Sequence, residues 1–267
     1  MGALTAWQEI GDRIWVRRYD PFNVNVTVVA GEDRVLLVDV RTTLREAREL
    51  QGDLAELPVG PITHLAFTHA HLDHCLGAGA FHGVPIWGTV GCREDLVRHG
   101  IDQRERWLEW LPEQERPHLR ASPIVPPDHT LRDHHRLGLG GREVDLLHLG
   151  RGHTDHDLVV HVLDASVVVA GDLLEVGAPP QFHDAFPFQW PATLGAVAGL
   201  NAEVVVPGHG PATDAAALTT QESELAHLAS LCREVHSGVR SRESVFAGSP
   251  YPRATTEVAL ARAIETG

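Results

Sequence analysis

Four side chains of types that bind divalent metal ions occur within six residues. The stretch 69–74 reads His-Ala-His-Leu-Asp-His and follows a short apolar run that we predict to be a buried strand. Residues two apart in extended chain project to the same face, so His69 and His71 can hold one ion together. Asp73 and His74 come as the chain turns into the next helix and can point at a neighbouring ion. Imidazole and carboxylate are ligands that zinc accepts, at about 2.0–2.2 Å.

Three further candidate ligands each follow another predicted strand. His153 comes after strand 143–149, Asp172 after strand 166–170, and His209 after strand 203–206. Glycines beside these residues permit tight turns and close backbone approach. Because ligand sites in layered α/β folds gather where strands end, four such strand ends predict one metal site rather than core packing.

Apolar periodicity predicts the elements that position these residues. We predict further strands at 13–18, 23–30, 34–40, 62–68, 84–88 and 157–163, and helices at 42–57, 92–99, 215–235 and 255–265. Thr42 or Thr43 is the predicted N-cap of the first helix. We interpret 1–267 as a single domain, with an insertion or lid at about 103–127 and C-terminal helices in 211–267. Two sheets face to face with helices outside are expected. His129, His134 and His135 are predicted to lie in solvated polar loops.

Composition excludes several classes of function. The chain is 43% hydrophobic and 22% charged, which is typical of a globular protein, and its net charge of −14 argues against binding nucleic acid. No apolar run approaches the roughly 20 residues that span a bilayer, and the first residues do not resemble a signal peptide. Three cysteines without CxxC spacing indicate a reducing compartment. We therefore expect a cytoplasmic protein with a small-molecule substrate and no membrane or nucleic-acid partner; the C-terminal helices could support a homodimer.

At its seven candidate ligands the chain resembles the metallo-β-lactamase superfamily, in motif and in order along the chain. The resemblance covers nearly the whole sequence to about Gly210. It implies an α/β fold, the αβ/βα four-layer sandwich with two mixed sheets face to face, and two zinc ions per chain. It also implies the roles of the ligands: His69, His71 and His153 on the first zinc, Asp73, His74 and His209 on the second, and Asp172 bridging both.

The resemblance also implies a hydrolase. Two zinc ions about 3.5–4 Å apart can share a water and lower its pKa toward neutrality, and the resulting hydroxide attacks a carbonyl carbon. Asp73 could orient this nucleophile and shuttle its proton. Asp39 and Thr154 are candidates to support the ligand imidazoles, with ordinary strand-end or turn chemistry as the alternative. His183 and Trp107 are candidates to line the pocket, unless they belong to an exposed loop and a helix face.

Two departures from the β-lactamase branch favour another substrate. That branch commonly has a cysteine where this chain has Asp172, and many members have a lysine three residues later, where this chain has Glu175. We therefore expect hydrolysis of a small ester, lactone or thioester, with weak β-lactam turnover. The alternatives are a genuine metallo-β-lactamase and a persulfide dioxygenase of the same superfamily, which would hold one iron ion. A nuclease would need basic surface and an added domain, and a binding module would not need all seven ligands.

Overall fold

The structure, a computed structural model, describes residues 6–266. The strands within this part of the chain are β1 (Gln8–Gly11), β2 (Ile14–Tyr19), β3 (Val24–Ala30), β4 (Val35–Val38), β5 (His64–Ala66), β6 (Ile86–Thr89), β7 (His129–Leu131), β8 (His134–Gly138), β9 (Glu143–Leu147), β10 (Val159–Val162), β11 (Val167–Glu175) and β12 (Val204–His209). The α-helices there are α1 (Leu44–Leu54), α2 (Leu72–Cys75), α3 (Val90–Trp107), α4 (Arg116–Ala121), α5 (Trp190–Ala198), α6 (Ala215–His236), α7 (Arg242–Gly248) and α8 (Arg253–Thr266).

The strands form two sheets that meet at a single residue pair. The N-terminal sheet has the order β1-β2-β3-β4-β5-β6-β7, and the C-terminal sheet has the order β12-β11-β10-β9-β8. Strands β4 to β7 run parallel to one another, as do β11 and β12. The two sheets connect where Val24 of β3 pairs with His209 of β12, so a candidate ligand lies at the junction.

Three apolar cores show how the layers stack. The central core contains residues of both sheets, such as Val38 and Val169. A second core fills the space between the N-terminal sheet and the helices α1 and α3, which contribute Leu50 and Leu96. The third packs α5, α6 and α8 on the C-terminal sheet, with Trp190 at its centre. Helices therefore cover the outer face of each sheet, and the predicted αβ/βα sandwich is confirmed.

A capping box starts the first helix at the predicted residue. The Thr43 hydroxyl accepts a hydrogen bond from the Glu46 N–H at 3.2 Å, and the Glu46 carboxylate accepts one from the Thr43 N–H at 2.9 Å. Such a cap contributes about 1 kcal/mol and sets where the chain turns from strand to helix. The turn between β4 and this cap carries Asp39, which directly follows β4.

The prediction of polar loops at three histidines is wrong. His129 lies in β7, and His134 and His135 lie in β8, the two outermost strands of their sheets. The Trp87 ring stacks with the rings of His129 and His135, at centroid distances of 4.8 and 4.0 Å. Edge strands keep polar side chains toward solvent, so they lack the apolar alternation on which strand prediction depends.

The region 103–127 contains the end of α3, all of α4 and the turns around them. Leu108, Leu111 and Leu119 from this region pack with Leu72, which lies within the candidate metal motif, and with Leu76, which follows it. The segment therefore covers α2 with an apolar surface. Among the described helices, none combines the length and the apolar character that crossing a bilayer requires.

Candidate metal centre

The structure brings all seven candidate ligands together. The donor atoms of His69, His71, His153 and Asp172 lie within 4.8 Å of one another, and those of Asp73, His74 and His209 form a second such group. Asp172 faces both groups. Its Oδ2 is 3.4 Å from His153 Nε2 and 3.3 Å from His209 Nε2, and its Oδ1 is 3.2 Å from His74 Nε2.

Two buried polar atoms in the middle of this cluster have no hydrogen-bond partner. They are Nε2 of His69, a residue that is 1% exposed, and Oδ1 of Asp172, a residue that is 5% exposed; the 3.2 Å approach of this Oδ1 to His74 Nε2 does not have hydrogen-bond geometry. A buried polar atom without a partner costs free energy unless another group satisfies it. A lone pair on nitrogen and one on a carboxylate oxygen, both aimed into a ring of further donors, fit a metal cation. The residues present therefore suit the ions that the fold implies.

Each of the five imidazoles makes a contact through its other ring nitrogen. These contacts are His69 Nδ1 with Thr68 Oγ1 at 3.1 Å, His71 Nε2 with Asp184 Oδ2 at 3.1 Å, His74 Nδ1 with Asp39 Oδ2 at 2.8 Å, His153 Nδ1 with the Gln181 carbonyl at 3.3 Å, and His209 Nδ1 with the Phe22 carbonyl at 2.8 Å. A ring nitrogen that donates outward leaves the inner nitrogen free to bind metal, and the contact fixes the ring orientation.

Asp39 organises the motif from the end of β4. Its carboxylate accepts hydrogen bonds from the Thr68 N–H at 2.9 Å, from the Thr68 hydroxyl at 2.8 Å and from His74 Nδ1 at 2.8 Å. Asp39 has a φ of +62°, a conformation that is costly for a residue with a side chain. The structure therefore places this sequence-predicted residue in contact with a candidate ligand.

Thr154 acts on the turn around His153 rather than on an imidazole that faces the centre. Its N–H and hydroxyl both donate to Asp157, and its hydroxyl accepts from the His156 N–H. The Nε2 of His156 in turn accepts from the Ala70 N–H at 3.3 Å, between the two histidines of the motif. Burial raises the pKa of Asp157 to about 6.

The remaining two candidate site residues, His183 and Trp107, do not contact the cluster of candidate ligands. His183 is exposed, and the next residue, Asp184, makes the contact with His71. Trp107 packs edge-on against Phe22 with a centroid distance of 5.0 Å, behind the carbonyl that holds His209. The sequence does not predict the role of Asp184, because its partner His71 is more than a hundred residues away. The local signal was a carboxylate directly after the candidate His183.

Burial and neighbouring charges shift the imidazole pKa values in two directions, down for some of the histidines and up for others. Burial lowers the pKa of His69 well below its usual range and that of His153 to about 3. Burial would also lower the pKa of His209, but the Asp172 carboxylate raises it to about 10. Burial opposes ionisation of Asp172 as well, yet the imidazoles of His209, His74 and His69 hold its pKa well below the usual range. Metal binding needs neutral imidazoles, so it must displace protons from this cluster.

Glu175 lies beside the second group of ligands. It ends β11 and pairs in register with His209 of β12, and its carboxylate is within 4.8 Å of the donor atoms of Asp172 and His209. Among the described residues, no hydrogen bond or ion pair reaches this carboxylate. Burial and the negative charge of Asp172 raise the pKa of Glu175 well above its usual range.

Comparison with known proteins places this geometry in a family. A family model described as the metallo-β-lactamase superfamily matches residues 19–209. A metallo-β-lactamase from Pontibacter korlensis superposes with a TM-score of 0.68 at 20% identity, covering 82% of this chain and 97% of that chain. The DIM-1 metallo-β-lactamase superposes with a TM-score of 0.65 at 18% identity, covering 82% and 95%.

At such identities these structures share the fold with this chain. The curated proteins searched give no match. The family model spans every candidate ligand from His69 to His209, and these residues form the cluster described above. The chain belongs to the metallo-β-lactamase superfamily.

Proposed function

We propose that the protein is a dinuclear zinc-dependent hydrolase that acts on a small ester, lactone or thioester. The observation that carries this proposal is the pair of buried atoms that make no hydrogen bond, His69 Nε2 and Asp172 Oδ1, inside a cluster of seven candidate ligand side chains. Two bound zinc ions would supply Lewis acidity, which lowers the pKa of water and polarises a carbonyl group. The His69, His71 and His153 set would hold one ion, the Asp73, His74 and His209 set the other, and Asp172 would contact both.

Asp73 is the proposed proton carrier. Its Oδ2 lies 3.4 Å from His209 Nε2 and 3.6 Å from His74 Nε2, and the side chain is 8% exposed. A carboxylate in this position can accept the proton of the attacking water and deliver it to the leaving group. The five fixed imidazoles keep the donors in place, so little reorganisation is needed during the reaction.

Glu175 supports the choice of a substrate without a carboxylate next to the scissile bond. Its side chain lies beside Asp172 and His209, and a carboxyl group there supplies no positive charge that could hold a carboxylate of the substrate. The sequence contains no lysine, so no lysine ammonium can hold such a group. Neutral esters, lactones and thioesters need no such cation, whereas β-lactam drugs that carry a carboxylate find no partner for it at this position. Weak β-lactam turnover is proposed on this ground.

The test measures metal content by plasma mass spectrometry on protein purified without added metal, followed by a panel of esters, lactones, thioesters and a β-lactam. We expect close to two zinc ions per chain and hydrolysis of the neutral substrates. Asp172→Ala should lose metal and activity together, whereas Asp102→Ala, an exposed position on α3, should keep both. About one iron ion per chain with oxygen uptake on a thiol persulfide would overturn the proposal.

A further inference from the structure

One loop supports two of the three imidazoles of the first ligand group. We call residues 181–186 the support loop. At its start the Gln181 carbonyl accepts from His153 Nδ1 at 3.3 Å, and further along the Asp184 carboxylate contacts His71 Nε2 at 3.1 Å. The Phe186 N–H then donates to the carbonyl of Gly152, next to His153, at 2.8 Å. The orientation of both rings therefore depends on where the backbone of this loop lies.

The C-terminal helix holds that backbone. Arg262 of α8 donates from Nε to the Ala185 carbonyl at 2.8 Å and from Nη2 to the Asp184 carbonyl at 3.2 Å. Its guanidinium also lies 5.3 Å from the centroid of the Phe186 ring, whose position is further set by Arg151 at 4.9 Å. A planar guanidinium presents its donors in a fixed fork, so it can hold two successive carbonyls in one geometry.

The contact between Asp184 and His71 needs this external support. The Asp184 side chain is 63% exposed, and a polar contact of so exposed a side chain by itself orders its partners weakly. Helix α8, in contrast, is fixed to the body of the protein through Ala259, Leu260 and Ala263, each at most 1% exposed. A continuous path therefore runs from a packed core through Arg262 and the loop backbone to His71. This helix lies outside the residues 19–209 that the family model matches.

We propose that Arg262 is a positioning residue for the first metal site, acting through Asp184 and the support loop on His71 and His153. The proposal rests on the metal site of the proposed function but not on its substrate. It makes the C-terminal helix a part of the metal centre, although no residue of that helix is a ligand.

The experiment compares zinc affinity in Arg262→Gln, Arg262→Lys and a matched control, Arg253→Gln, by competition with a chromogenic chelator. Arg253 lies on the same helix, but its guanidinium pairs with the exposed carboxylate of Glu243. In Arg262→Gln we expect one of two zinc ions to bind about 10- to 100-fold more weakly, as is usual when an outer partner of a ligand is lost. Arg262→Lys should recover part of the loss, because an ammonium still donates to a carbonyl but lacks the fork. Arg253→Gln should match the wild type.

A second readout separates positioning from general loosening of the fold. Cobalt substitution reports ligand geometry through visible absorption, and the spectrum of Arg262→Gln should change while the unfolding midpoint of the chelated protein stays close to that of the wild type. Asp184→Ala, which removes the acceptor of His71, should reproduce the loss, and the double variant should lose less than the product of the two single losses. Unchanged zinc affinity and cobalt spectrum in Arg262→Gln, equal losses in Arg253→Gln, or fully multiplicative losses would each overturn the proposal. A wild-type protein that binds zinc but hydrolyses no ester would overturn only the substrate assignment.

Discussion

Replacing Gly208 with alanine should displace the carboxylate of Asp172, the residue that faces both groups of candidate ligands. Gly208 lies in β12 directly before His209, and its backbone does not adopt the left-handed conformation, so alanine is acceptable there on backbone grounds. A Cβ at this position would, however, lie 1.7 Å from Asp172 Oδ1 and 3.0 Å from the Asp172 nitrogen. The Asp172 carboxylate is therefore the group that must move.

The size of that movement decides the outcome. Contacts of a Cβ below 3.0 Å essentially never occur, so the Oδ1 atom must retreat by about 1.3 Å. A metal site tolerates errors of about 0.2 Å in its ligand distances. The displacement is several times larger than this tolerance. Strand β11, which carries Asp172, is buried, so its backbone cannot shift to compensate. We expect the loss in zinc affinity to exceed the roughly 10- to 100-fold effect of removing an outer partner.

The assay is zinc stoichiometry after dialysis against a buffered chelator, with hydrolysis of the best substrate measured on the same samples. Gly52→Ala is the matched control, because nothing lies within 4 Å of its added Cβ. Gly52 is in α1, so alanine there should stabilise the fold by up to about 1 kcal/mol and leave the zinc content unchanged. A Gly208→Ala protein that retains two zinc ions with wild-type affinity would refute the assignment of Asp172 as a ligand in the observed position.

Further perturbations test the surroundings of the centre. Asp39→Ala removes the acceptor that His74 uses, and it should weaken the binding of one zinc ion about 10- to 100-fold in the same chelator competition, with the other ion unaffected. Glu175→Lys should raise kcat/KM for a carboxylate-bearing substrate at least about 10-fold relative to a neutral ester, and an unchanged ratio would show that this side chain does not face the substrate. Removal of both zinc ions should lower the Tm by at least roughly 5–10 °C, because each ion present at 100 times its Kd stabilises the fold by about 2.7 kcal/mol; an unaltered Tm in scanning calorimetry would count against zinc binding to the folded protein. The hydrogen bond from Arg136 lowers the pKa of Asp145 from 3.8 to about 2, so its stabilising effect is present above about pH 4 and disappears as the pH falls through 2. Urea unfolding of Asp145→Asn should show a loss of about 1–2 kcal/mol at pH 6, discounted because Arg136 is half-exposed, and a pH-independent difference would contradict this origin.

The parts of the fold that could be predicted are those with local signals. The box at Thr43 marks the start of α1, and the buried strand β3 is a run of apolar and β-branched residues at its predicted place. Strand β11 was predicted to end before Asp172 but continues to Glu175, since a strand buried on both faces has no alternation to show where it stops. Edge strands β1, β7 and β8 carry too few apolar residues for a periodic signal.

The candidate site also has parts that the sequence predicts and parts that it does not. Ligand types at strand ends are visible along the sequence, and the structure assembles all seven of them. What holds those ligands is not visible, because Asp184 and Arg262 meet their partners over separations of 113 and 78 residues. Such contacts leave no pattern in neighbouring residues. His183 received attention only because histidine is itself a metal ligand, although the neighbouring carboxylate makes the contact.

The order of the ligands along the chain has a consequence for biosynthesis. His69, His71, Asp73 and His74 leave the ribosome well before His209. At about 5–20 residues per second, the nascent chain carries this incomplete half-site for roughly 7–27 s before the last candidate ligand is made. During that interval a divalent ion meets four flexible side chains without the geometric selection of the finished centre, so intrinsic affinity favours copper over zinc. On the proposed zinc assignment, loading with zinc would then require that free copper is kept low while the second half of the chain is being translated.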